Sequence, residues 1–337
     1  MRQVLRTRVV AVALIVAAAS SSFAQDPAAR AAVATTPHFA FHSDFRTNIN
    51  DALLEAGRAR RKGNPELFLT GAEATCFEGL APSIRTAWNL AVDYYAEVIS
   101  PKKWSDRQQV LIRFDLARVE ELSKERDLRY VGIARSFMDA ATPAYEACRW
   151  DTQDVGNRRW IEALVAQLSV HEATVSRKLA DLYDKPLGGL PIRVDVVETV
   201  NWSGATTWIL DPDGGHIVIS NVEHGPVSLE YIFHEASHTL MGRGHPVQIA
   251  LRQAAERLDT ELPGDLWHAV LFYTTGDAVR RALDEAGEPA YTPMLFTGNI
   301  FGHHHEAMKR AWTAYLEGER GLEEAAADLI KATIGTL

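Results

Sequence analysis

Only two of the 337 residues are cysteine, Cys76 and Cys148, and they lack the CxxC spacing of a redox dithiol or a zinc knuckle. In an exported chain the pair could close one long disulfide loop, worth up to about 4 kcal/mol. Sequence alone fixes no Cα separation, so two buried thiols are the alternative. Positive charge is also in deficit: 35 Lys and Arg stand against 44 Asp and Glu, a formal net of -9. That balance argues against nucleic acid and anionic membrane surfaces as partners. Beyond the N-terminus no segment approaches the roughly 20 consecutive apolar residues that a membrane span requires. No internal repeat is visible, and no low-complexity tract beyond the Ala-rich termini.

What is present begins with an address. Arg2, Arg6 and Arg8 precede an apolar run over 9–19, and Ser22-Phe23-Ala24 supplies small residues where a signal peptidase reads. The expectation is a secretory signal peptide over 1–24, cleaved near Ala24, and an exported protein, periplasmic or extracellular. No Cys lies near the cleavage point, so a lipid anchor is not suggested. Removing the leader makes the remaining chain more acidic still.

Periodicity then divides the chain. Residues 25–42, Ala-rich with Pro27 and Pro37, read as a loose N-terminal tail, and 43–150 as a helical region. A long helical stripe over 154–183 carries Trp160, Leu164, Leu168, Val175, Leu179 and Leu182, and Pro186, Gly188, Gly189 and Pro191 end it. Three short strands follow at about 192–196, 206–210 and 216–219, the last two separated by the turn-rich 211–215. Only helices come after them, at about 227–241, 247–258, 263–286 and two over 303–334. The class is α+β and mostly helical. It comprises a core over 151–290, with a small sheet followed by a motif helix, the helical N-terminal region, and C-terminal helices over 291–337.

The motif is His234-Glu235-Ala236-Ser237-His238. Leu229, Ile232, Phe233, Ala236 and Leu240 give its segment an apolar stripe, Pro226 suits a helix start and Gly242 a stop. On a helix, residues four apart project from one face, so the two imidazoles aim at one point. Paired neutral imidazoles suit Zn2+, and Glu235 beside them can relay a proton from a water that the metal acidifies.

This arrangement resembles the zincin metallopeptidases: a long backing helix, a small sheet, and then an HExxH helix. The likeness covers about 154–286, and only the HEASH segment is motif-specific. It implies zinc held by His234 and His238, Glu235 as general base, and a substrate-binding edge strand, for which 216–220 is the candidate. Residues 43–150 match no family pattern.

A catalytic zinc takes a third protein ligand and leaves one position open. The metzincin spacing would demand Gly and His where Met241 and Gly244 stand, with Gly242 and His245 each one residue late. The other zincin solution, a gluzincin-like arrangement, places the third ligand on a later helix, usually as Glu. Here His268 is the first candidate, set among Trp267, Leu271, Phe272 and Tyr273, with Asp265 one turn back to orient its ring. His245, Glu256, Glu261 and Asp265 are the alternatives. Tyr273 is the nearest candidate for a transition-state donor. His303, His304, His305 and Glu306 read as a solvated cluster with adventitious metal affinity, one of them reaching the cleft being the alternative. His224 reads as a loop residue.

The expected function is that of a zinc-dependent metallohydrolase, a peptidase acting on a peptide or protein substrate. A non-catalytic zinc-binding or interaction module retaining the HExxH site is the reading from another class, and a hydrolase of other amides or esters a third.

Overall fold

The computed structural model describes residues 31–63, 71–103, 107–116, 125–200, 204–209, 215–242 and 244–335. The leader at 1–24, residues 25–30 of the expected tail, and 210–214 between two strands lie outside the described residues.

Two strands open the described chain, β1 (Ala34–Thr35) and β2 (Phe39–His42). Helices α1 (Phe45–Arg61), α2 (Gly71–Gly79), α3 (Pro82–Tyr94), α4 (Arg107–Leu116) and α5 (Glu125–Tyr145) follow. Each of α3 and α5 runs on into a five-residue π turn, Tyr95–Ile99 and Glu146–Trp150. Ile49, Leu53, Trp88, Val92, Tyr95, Phe137, Met138 and Tyr145 share one apolar cluster among these helices. Cys76 of α2 and Cys148 of the second π turn form a disulfide, their Cα atoms 5.7 Å apart.

The expected long helix is α6 (Asp151–Tyr183). At about 1.5 Å per residue its 33 residues span roughly 50 Å. Trp160, Leu164, Leu168, Val175 and Leu179 are buried along it, as the 3.6-residue period dictates. Asp184, at φ 49, caps it in the left-handed region that ends many helices. Strands β3 (Ile192–Val197), β4 (Ala205–Ile209) and β5 (Gly215–Ser220) lie close to their expected spans. Then come α7 (Pro226–Ser237), α8 (Pro246–Arg257) and α9 (Leu266–Glu285). The short α10 (Met294–Thr297), α11 (His305–Ala311) and α12 (Thr313–Leu316) precede α13 (Leu322–Ile334). The class is α+β and mostly helical, with a mixed sheet ordered β1-β2-β3-β5-β4.

The sheet corrects two expectations. Residues 31–42 are no loose tail: β2 pairs in parallel with β3, and Phe39 and Phe41 are fully buried. Phe39 meets Phe233 of α7 edge-on, with ring centroids 5.6 Å apart. The composition around Pro27 and Pro37 masked a four-residue strand whose alternation is too short to register. Nor is 216–220 an edge. β5 sits between parallel β3 and antiparallel β4, with every residue buried. The edge beside the motif helix is β4. Chain order does not give sheet order here, because β4 precedes β5 in sequence yet lies outside it.

A buried polar knot joins sheet to helical region. Asp195 of β3 is within 2.7 Å of His216 Nε2 on β5, 2.8 Å of Arg193 Nη2 and 3.1 Å of Thr47 Oγ1 on α1. Burial opposes ionisation of Asp195, but the Arg193 charge and the bond to His216 outweigh it and hold the carboxyl well below its ordinary range.

Candidate metal centre

Helix α7 starts at Gly225, whose φ of 64 suits glycine, with Pro226 in the first turn. Leu229, Ile232, Phe233 and Ala236 are completely buried and fix its rotation. That rotation brings His234 and His238 together, their ring centroids 4.9 Å apart. His238 follows the last helical residue and keeps helical geometry, so the one-turn spacing survives. Helix α9 packs alongside. Thr275 Oγ1 donates to Ser237 Oγ at 3.2 Å, and Gly276 lies where a Cβ would be 2.9 Å from Glu230 Oε1 and 2.7 Å from Pro293. The missing side chain permits the close approach that delivers His268.

His268 Nε2 lies 3.2 Å from His234 Nε2, and one ligand atom from each of His234, His238 and His268 falls within 4.8 Å of the others. Burial, then the neighbouring imidazoles, push His234 well below its usual proton affinity. Burial takes His238 down to about 3, and takes His268 down to about 4 against the opposing pull of Asp265. At neutral pH all three rings are uncharged and offer lone pairs. A tetrahedral shell with ligands about 2.0–2.1 Å from zinc has edges of roughly 3.3–3.4 Å, close to the His234–His268 separation. Donor type, protonation and spacing all fit a divalent cation.

Glu235 is turned toward β4. Thr207 Oγ1 lies 2.6 Å from its Oε2. Burial raises the Glu235 carboxyl to about 7, partly countered by that hydrogen bond. An acid poised near neutrality can both take and return a proton. Phe272 packs on His234 with centroids 3.7 Å apart, and Trp267 stacks on His268 at 5.0 Å. Phe301 closes over His268 at 5.3 Å.

The other sequence candidates are placed elsewhere. His245 caps α8: its Nδ1 accepts from Val247 N–H, and its Nε2 donates to the Tyr183 carbonyl at 2.8 Å. Glu256 and Glu261 are exposed and outside the cluster. Asp265 does not orient His268, since its two oxygens face His304 at 3.0 Å and His303 at 3.2 Å. His305 contacts the Ile300 carbonyl, and His224 is exposed. Tyr273 is not brought to the histidines. Its hydroxyl is 2.7 Å from Thr313 Oγ1 and its ring meets Phe296 edge-on. Helical phase explains this: five residues beyond His268 is about 140° around the axis, whereas Phe272, four beyond, returns to the same face. That one-turn offset was the available signal for Phe272. Thr207 had none, because its role depends on which strand lies at the edge.

No protein-family model matches this chain, and neither a curated protein nor a solved structure matches it.

Proposed function

We propose that this chain is an exported zinc-dependent hydrolase that cleaves peptide bonds. One observation carries the reading: three uncharged imidazoles from two helices converge, with the Glu235 carboxyl on the same helix turn and in contact with the edge strand. When bound there, a zinc ion would polarise a carbonyl and lower the pKa of a water toward 7. Glu235 receives the proton that the attacking water gives up and returns it to the leaving amine. The Thr207 hydroxyl holds the carboxyl toward β4. Strand β4 stands last in the sheet order, the position at which an extended peptide would add as a further strand, which favours a peptide over a compact ester. Trp267, Phe272 and Phe301 pack against the ligand rings. A disulfide between Cys76 and Cys148 suits an oxidising compartment and supports export.

Among the described residues the cluster holds three ligands and no fourth, which supports a catalytic over a closed structural site. The deciding experiment is Glu235→Gln with activity on a denatured protein substrate and zinc content measured together. The expected result is a rate loss of at least about 100-fold with zinc retained. An undiminished rate removes the reading.

A further inference from the structure

We propose a second divalent-cation site, formed by Asp265, His303 and His304 at the start of α9 and separate from the three-histidine centre. One ligand atom from each of these residues lies within 4.8 Å of the others. His304 Nε2 is 3.0 Å from Asp265 Oδ1, and His303 Nε2 is 3.2 Å from Asp265 Oδ2. Two imidazole nitrogens and one carboxylate make a mixed set that suits zinc and its later first-row neighbours.

The backbone around the two histidines is shaped to bring them there. Phe301 has φ 50, a left-handed conformation that bulky residues rarely adopt. It is followed by the single 3-10 turn Gly302–His304. The turn sets the consecutive imidazoles side by side, ring centroids 4.0 Å apart, where an extended strand would send them to opposite faces. The His304 side chain is only 2% exposed and its Nδ1 has no partner, so its burial is compensated at Nε2 alone, the atom aimed at Asp265. His303 and Asp265 are 59% and 43% exposed, which leaves an ion coordination positions for water.

A cation at a helix N-terminus is opposed by the helix dipole, and the Asp265 carboxylate must offset that. Two protonated Nε2 atoms sharing one carboxylate would give the same distances without a metal, so zinc binding itself has to decide. The site also has a consequence for its neighbour. Phe301 sits directly before the turn, 5.3 Å from the His268 ring and 6.0 Å from Phe272. An ion on His303 and His304 would hold that wall of the three-histidine centre in place.

The test uses the full exported chain and zinc alone. Metal-stripped protein is dialysed against low-micromolar free zinc, and bound zinc per chain is measured for wild type, His303→Ala, Asp265→Asn and His234→Ala. Because His303 is exposed, its variant should keep the wild-type circular dichroism spectrum. The site predicts that His303→Ala and Asp265→Asn each bind one ion fewer than wild type, while His234→Ala loses a different one. Full zinc content in His303→Ala overturns the second site, whatever His234→Ala does. Loss of zinc in His303→Ala with none lost in His234→Ala upholds the second site and removes the three-histidine centre instead.

Discussion

Thr207 Oγ1 lies 2.6 Å from the Glu235 carboxyl and 2.9 Å from the same residue's backbone carbonyl. A threonine has one hydroxyl proton. When Glu235 is protonated, its O–H can donate to Thr207 while Thr207 donates to the carbonyl. When Glu235 is ionised, Thr207 turns its proton to the carboxylate. The edge strand thus carries a group that serves both states of the proposed general base.

From this follows a shift in pH dependence. The Thr207 bond lowers a carboxyl that burial raises, so Thr207→Val should raise it further. The base works ionised, and the acidic limb of the kcat/KM profile should therefore move to higher pH, with Thr207→Ser restoring it. A limb that stays in place in Thr207→Val contradicts the contact's role.

Glu230, one turn before His234, is fully buried and accepts from Tyr291 Oη at 2.6 Å and Met294 N–H at 3.0 Å. Burial outweighs both bonds and raises its carboxyl from the ordinary 4.5 to about 7. A folded-state value above the unfolded one contributes stability in full below about pH 4.5, and that stability is lost as pH rises through 7. The shift corresponds to on the order of 3 kcal/mol. Glu230→Gln keeps an acceptor and cannot ionise. Compared by urea denaturation, it should match wild type near pH 4.5 and be the more stable above pH 7. A wild type that gains on the variant with rising pH would refute the assignment.

The Cys76–Cys148 bridge closes a separation of 72 residues, for which the chain-entropy model gives about 4 kcal/mol. Cys76→Ala with Cys148→Ala should lower unfolding stability by up to that amount. Thiol titration of the denatured, unreduced protein should find no free thiol. Two reactive thiols would show that the bridge does not form.

How far these features were legible depended on the range of the interaction. The pairing of His234 with His238 needs only helix geometry, and α6 only its apolar period. His268 could be singled out because a polar ring in an aromatic wall requires a reason. Helical rotation alone separates Tyr273 from His268, so its place away from the histidines is legible in the sequence. By contrast, β2 was hidden because Phe39 and Phe41 offer too short an alternation, and its partner β3 lies about 150 residues away. The edge role of β4 is a property of sheet order, which no local pattern encodes. The Asp265 pairing with His303 and His304 likewise spans nearly forty residues and turns on the left-handed Phe301.

The central claim is that His234, His238 and His268 together grip one divalent ion. Anomalous scattering recorded on either side of the zinc absorption edge, from crystals of the zinc-loaded protein, tests it most directly. The account predicts a zinc-specific peak about 2.0–2.1 Å from one ring nitrogen of each histidine, with a coordination position left to solvent. No peak between the three rings, or a peak there completed by a fourth protein side chain, would contradict it.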